Sequence, residues 1–481
     1  MKGRISPRPI SMEELEFDLA VVGAGPAGYV GAIRAAQLGA RVALAERDRV
    51  GGTCLNRGCI PSKALLHAAE AAESARKAPG WGVRVSFEGF DLESLRGFRD
   101  RNVERMVKGV ETILKSYNIP VFHGEASFLD PFTLKVTTAE GEKRIRARNF
   151  LIATGSEPVV PPIPGADLPG VVDSDEITRL ESVPPSLVIV GAGVIGMELA
   201  TLYSSLGSKV TVLELLPRIL PPADGAIASR FLAIMRKRGV EVLTSVKVEA
   251  IEREGDKLRV ICSGEKPLHF LADKVILAVG RRPHTRGLSL EGIGVKVERG
   301  GVKVDGYLRT SVSHIYAAGD CVGGALMAHK ASYEGEIAVE NALGHSRVPD
   351  YSAIPYCIYT SPEIAGVGLT EEAAREVGAD YEVATFPFTA NARAWAMDSA
   401  EGLVKLVYEK GSGKLLGAHI MGPLAGELIG ELALAVRLKL KAQEVAWTVH
   451  PHPSLSEAVM EAAKAASYGE AIHYRTLRRK A

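Results

Sequence analysis

Five residues recur at one fixed spacing in the first half of the chain: Gly23, Gly25, Gly28, Gly39 and Glu46 return 168 positions later as Gly191, Gly193, Gly196, Gly207 and Glu214. Each copy follows an apolar run, Leu19 to Val22 and Leu187 to Val190, and continues through a helical pattern into a second apolar run that stops at the glutamate. The order is strand, tight turn, helix, strand, twice over. Such a repeat constrains the chain to an α/β fold with at least two parallel β-α-β units.

In each copy the first glycine permits the turn, the second lets backbone approach a pyrophosphate, and the third lets helix and strand pack closely. The helix N-terminus then offers N–H donors to phosphate oxygens. Glu46 and Glu214 lie where a carboxylate accepts from the hydroxyls of an adenosine ribose. Two complete copies predict two Rossmann-like dinucleotide-binding domains, with NAD rather than NADP at the second, because a 2'-phosphate would be repelled by Glu214. Arg218, four residues later, is read as a solvated loop charge.

Composition sets outer limits. With 481 residues the chain is long enough for about three domains, and 58 Lys+Arg against 57 Asp+Glu leave no field for nucleic acid. Glycine, at 50 residues, exceeds the roughly 7% that is usual. No stretch reaches 18 uncharged apolar residues, so no membrane helix is expected. Residues 1–16 are polar, without a signal-peptide core, and are read as a short arm; the expected location is cytoplasmic.

Cys54, Cys59, Cys262, Cys321 and Cys357 are too few and too scattered for a secreted disulfide framework. Cys54 and Cys59 stand apart, within Gly51-Gly52-Thr53-Cys54-Leu55-Asn56-Arg57-Gly58-Cys59-Ile60-Pro61-Ser62-Lys63, shortly after Glu46. Five residues of straight helix rise about 7.5 Å and turn the side chains apart, beyond the roughly 7 Å Cα limit for a disulfide. A bond between them requires a broken helix, for which Gly58 and Pro61 provide. Two buried thiols and half of a metal site are the competing readings; with no second Cys/His cluster, no metal is expected. The other three cysteines are read as small buried hydrophobes.

Coarse patterning adds helices near 64–76 and 91–117, strands within 121–150 and at 151–155, 274–279 and 314–318, and a change from about 351 to strands with intervening helices. The expected organisation is an arm (1–16), a first nucleotide domain (17–157), a second (158–282), a central segment (283–350) and a C-terminal α+β domain (351–481).

The cysteine segment, together with Gly23 to Gly28, Ala153-Thr154-Gly155, Gly191 to Gly196, Gly280-Arg281-Arg282-Pro283, Ala318-Gly319-Asp320, Ala328-His329-Lys330 and the terminal His-Pro pair, resembles in order the flavin-dependent pyridine nucleotide-disulfide oxidoreductases. The resemblance covers essentially Phe17 to Tyr474. It implies FAD at the first site and NAD at the second, with a redox-active Cys54–Cys59 disulfide between them. Lys63 matches the lysine near flavin N5, and Glu198 its ion-pair partner. Ala126, Thr154, Gly155, Asp320 and Ala328 match flavin-contacting positions, and Val248 and Gly280 match NAD-contacting ones. In His450-Pro451-His452-Pro453-Ser454-Leu455-Ser456-Glu457 the family pattern selects His452 as acid-base residue, oriented by Glu457.

Within the family, the motifs resemble most the branch that oxidises dihydrolipoyl groups on lipoyl-bearing proteins of 2-oxoacid dehydrogenase or glycine cleavage complexes. That branch implies an obligate homodimer built on 351–481, with His452 serving the other subunit. Glutathione-reductase-like relatives commonly carry basic residues where Glu214 stands, mercuric reductases an extra C-terminal cysteine pair, and soluble transhydrogenases only one redox cysteine. A non-catalytic complex subunit would not need the intact set of residues. Cys321, His284 and Pro451 depart from the family pattern.

Overall fold

The computed structural model describes residues 14–264 and 267–475. Most of the arm and the tail from residue 476 therefore lie outside the described residues. Glu14 to Glu16, read as arm, instead begin the strand Glu14–Val22, pairing in parallel with Arg144 to Arg146. The alternation of Leu15 and Phe17 with acidic residues is the period-2 pattern of a strand with two unlike faces.

The chain divides into two compact units that cut across the five sequence segments. Of the described residues, one unit holds those up to Pro61, Phe98–Glu157 and Arg281–Pro349; the other holds those within Ser62–Gly97 and Pro158–Gly280 and from Asp350 onward. Residues 62–97 join the second unit because Leu65, Leu66, Ala69 and Leu95 are buried in one cluster with Met197 and Tyr203.

In the first unit, Glu14–Val22 pairs in parallel with Val42–Glu46 on one side and Gly141–Ile152 on the other, and Ile315–Ala317 pairs beyond. The strand Val42–Glu46 is buried at every position, as expected for a parallel strand covered on both faces. Val121–Asp130 begins alongside it, then runs antiparallel to Thr133–Thr138, which pairs in turn with Gly141–Ile152.

The second unit contains a parallel sheet in the order Glu241–Leu243, Lys209–Leu213, Ser186–Val190, Lys274–Leu277, Val171–Asp173, and an antiparallel sheet of Lys247–Glu254, Lys257–Ser263 and Leu268–Ala272. Its C-terminal part is a five-stranded antiparallel sheet, Tyr356–Ile358, Glu363–Gly368, Leu415–Gly422, Leu403–Glu409, Tyr381–Pro387. Leu432 of the helix Ala425–Arg437 and Val459 of the helix Glu457–Tyr468 are buried in one cluster with Phe386, Leu406 and Ile420 of that sheet. The expected α/β class, with its α+β C-terminal part, is the observed one. Among the described residues no helix is long and apolar enough to cross a membrane.

Candidate active site

The two glycine turns have the same shape. The N–H of Gly23 donates to Ala45 O and that of Gly191 to Leu213 O, both at 2.8 Å. Gly23 and Gly191 take φ of +99° and +107°, a left-handed region that favours glycine. A Cβ on Gly28 would sit 1.8 Å from Gly23 O, and one on Gly196 2.0 Å from Gly191 O. These contacts lock each 12-residue helix, Pro26–Gln37 and Val194–Ser205, onto its turn.

The middle glycines differ from their neighbours. A Cβ on Gly193 would meet nothing within 4 Å, and one on Gly25 only Gly52 Cα at 4.0 Å. No side chain caps either helix, so the N–H groups of each first turn remain available to an anion. Glu46 accepts from Ala24 N–H at 2.7 Å and Asp48 N–H at 2.8 Å; Glu214 accepts from Ala192 N–H at 2.6 Å and Leu216 N–H at 2.8 Å. Burial pushes the Glu46 carboxyl up, against the Ala24 N–H and the Arg47 charge. Both turns thus fit the pyrophosphate and ribose of a bound dinucleotide.

The cysteine segment is tied to the first turn, since Gly51 N–H donates to Ala24 O at 2.8 Å. A Cβ on Gly52, whose φ is +56°, would lie 2.7 Å from Gly25 Cα. Cys54 belongs to the short helix Gly52–Asn56, the helix breaks at Arg57 and Gly58, and Cys59 opens the helix Cys59–Lys77. The break brings Cys54 and Cys59 close together. Pro61 falls in the first turn of the new helix, where a missing N–H costs nothing. Asn56 fastens the loop by donating to Val50 O at 3.0 Å and Gly52 O at 2.9 Å, while its Oδ1 is buried without a hydrogen-bond partner. Burial, with Cys54 and Cys59 nearby, pushes the Tyr29 phenol up.

Other positions expected on the flavin side gather in the same unit. Thr154 donates its hydroxyl to His284 O at 2.6 Å, and Gly155 O accepts from His284 N–H at 2.9 Å. Asp320 accepts from Ser156 at 2.6 Å, and Arg281 donates to the same hydroxyl at 3.0 Å. Ala328 opens the helix Ala328–Ala342, whose cap residue Met327 makes no side-chain bond. Ala126 lies in the strand Val121–Asp130. His284 bridges Arg47 Nη1 at 3.0 Å and Glu157 Oε2 at 3.3 Å. Buried Cys321 donates to Ile152 O and Ala318 O, and burial pushes its thiol up to about 12. It packs rather than reacts. Cys262 is likewise buried, whereas Cys357 is only half-buried.

In the second unit, Lys63 Nζ meets Glu198 Oε2 at 2.7 Å, and Glu198 is buried. Val248 is also buried, in one cluster with Val190 and Leu213. Gly280 has φ of +122° with open space where a Cβ would stand. Arg218, expected as a solvated loop charge, has 39% of its side chain exposed, donates to Pro221 O at 3.1 Å and faces Glu372 at 3.5 Å.

His452 Nδ1 lies 2.8 Å from Glu457 Oε1, so the ring is assigned as the tautomer that donates from Nδ1 and keeps a lone pair on Nε2. Burial opposes ionisation of Glu457, but Ser454 N–H and His452 outweigh it and hold the carboxyl below its usual range. The ring itself is 73% exposed. His450 donates from Nδ1 to Thr448 O at 2.8 Å and lies 3.1 Å from both oxygens of Glu431 through Nε2. Sequence reasoning missed Glu431 and Tyr359, whose spacings from their partners carry no motif, and also Ser454, which precedes Glu457 by the three-residue spacing of a helix-start signature. Tyr359 N–H donates to Glu198 Oε1 at 2.9 Å.

The pyridine nucleotide-disulphide oxidoreductase model matches residues 17–335, and the dimerisation domain of the same family matches 354–463. The chain belongs to the pyridine nucleotide-disulphide oxidoreductases. Among curated members of this family, the dihydrolipoyl dehydrogenase of Thermus scotoductus is 43% identical over 95% of this chain and 98% of its own. That of Geobacillus stearothermophilus is 41% identical with the same coverage. Among solved family structures, the HOCl-induced flavoprotein disulfide reductase RclA from Escherichia coli superimposes with a TM-score of 0.83 at 32% identity, covering 93% of this chain and 99% of its own.

Proposed function

We propose that this oxidoreductase oxidises dihydrolipoyl groups on a lipoyl-bearing protein to the cyclic disulfide, with FAD at the first glycine turn and NAD+ at the second. The observation that carries the reading is the hydrogen bond of Gly51 to Ala24, which fastens the Cys54–Cys59 segment to the turn that cradles the first dinucleotide. The first turn would hold FAD, which would supply two-electron redox chemistry between the thiols and NAD+.

The chain's residues do the rest. His452 Nε2 takes the proton of a dihydrolipoyl thiol, and Glu457 holds the ring and stabilises the imidazolium. The thiolate attacks Cys54 Sγ of the Cys54–Cys59 disulfide and expels Cys59 as thiolate. The second substrate thiol then attacks the mixed disulfide, releasing the lipoyl disulfide and leaving both cysteines reduced. Lys63, paired with Glu198, serves the flavin side; Thr154, Gly155, Asp320, Ala328 and Ala126 line it, while Val248 and Gly280 border NAD. His452 acts on the cysteine pair of a second copy of this chain, through 351–481, in the cytoplasm.

NAD rather than NADP follows from Glu214 and from Arg218, which Glu372 and Pro221 hold back from a 2'-phosphate. The direct test uses anaerobic spectroscopy of the FAD-loaded protein. NADH should bleach the flavin and lipoamide should restore it, whereas Cys54→Ser should keep its flavin yet lose restoration by lipoamide. Full restoration in that variant would remove the disulfide from the chemistry.

A further inference from the structure

The Lys63–Glu198 pair does not stand alone. Lys63 Nζ lies 4.6 Å from the centroid of the Tyr359 ring, over its face. The Tyr359 N–H donates to Glu198 Oε1 at 2.9 Å, while Glu198 Oε2 receives Lys63 at 2.7 Å. One residue therefore touches both members of the pair, its backbone on the carboxylate and its ring on the ammonium. The Tyr359 hydroxyl is engaged with the Cys357 side chain, and burial, ahead of the Cys357 and Glu363 charges, pushes that phenol up, so it stays protonated as a donor. Tyr359 stands one residue beyond the strand Tyr356–Ile358, whose Ile358 is fully buried. The ring is thus anchored at the backbone, at Ile358 and at its hydroxyl.

We infer that Tyr359 is a positioning residue that holds the Lys63 ammonium in one orientation by a cation-π contact, so that C-terminal residues help set the electrostatics at the flavin. The inference rests on Lys63 facing the flavin as proposed above. An ammonium has three N–H donors and a flexible four-carbon stem, and a single carboxylate contact leaves it free to swing. A ring face beneath it removes that freedom, and such contacts contribute most when partly desolvated. Lys63 has 31% of its side chain exposed, against 8% for Glu198. The backbone N–H survives any substitution, so Glu198 stays fixed while only the hold on Lys63 changes.

The test compares FAD-loaded Tyr359→Leu, Tyr359→Phe and Lys63→Met proteins. Each is read for the visible flavin spectrum of the oxidised and two-electron-reduced protein, the flavin midpoint potential, and the rate of flavin reduction by dihydrolipoamide. Tyr359→Leu should slow that half-reaction roughly 3- to 10-fold and shift spectrum and potential in the direction of Lys63→Met. Tyr359→Phe, which keeps the ring, should stay within about twofold of the parent. A urea midpoint separates loss of folding from loss of position. If Lys63→Met changes spectrum and potential while Tyr359→Leu does not, the positioning role is overturned. If Lys63→Met itself leaves them unchanged, the placement of Lys63 at the flavin fails instead.

Discussion

At the scale of single residues, the two histidines of the C-terminal loop differ in their partners. His450 faces an acceptor at each ring nitrogen, a carbonyl and a carboxylate, and the Glu431 bond, against burial and with help from Thr448 O, raises its pKa. A histidine raised on folding contributes stability that is fully present below its unfolded value near 6.5 and is lost as pH rises through the folded value. Urea midpoints of the parent should therefore fall above about pH 6.5 relative to those of His450→Asn. His452 instead meets Glu457 through Nδ1, which leaves Nε2 to face a thiol in the reaction proposed above. Its replacement by glutamine should slow reduction of the enzyme by dihydrolipoamide by roughly 100-fold or more in stopped flow, while flavin reduction by NADH changes little. At the second turn, Glu214→Ala should weaken NADH roughly 10- to 100-fold, the loss expected for hydrogen bonds to a charged acceptor. In the same assay Glu372→Gln, by releasing Arg218, should raise the NADPH-to-NADH ratio of kcat/KM.

At the scale of elements, the two strand-turn-helix units were legible because their demands are local. Glycine with positive φ, a helix start without a side-chain cap and a glutamate reaching back to the turn are all set within 24 residues. Steric closure makes a sharp prediction. Gly196→Ala should abolish NADH binding, measured by titration, yet leave the flavin spectrum intact, because the added carbon collides with Gly191 O. The broken helix between Cys54 and Cys59 was equally legible, from Gly58 and from the reach of a disulfide. Glu431 and Tyr359 were not, since no motif or periodicity ties either to its partner, 19 residues from His450 in one case and 161 from Glu198 in the other.

At the scale of the whole molecule, the assignment of His452 to a second subunit can be tested by mixing. Cys54→Ser and His452→Gln homodimers should each be nearly inactive. Dimers re-formed from an equal mixture should recover roughly a quarter of parental turnover, since half are hybrids and each hybrid has one complete site. A site made within one chain would recover none.

By itself the sequence determined the α/β class, the paired nucleotide turns, the position of the reactive cysteines and, through ordered resemblance, the chemistry. Those features depend on neighbours a few residues apart, where backbone geometry leaves little choice. Tertiary structure alone decided that residues 62–97 pack with the second unit, that Arg218 faces Glu372, that Cys357 is only half-buried and that Tyr359 sits beneath Lys63. Each of these depends on which distant surfaces are buried together, and burial is a property of the packed chain rather than of any local stretch.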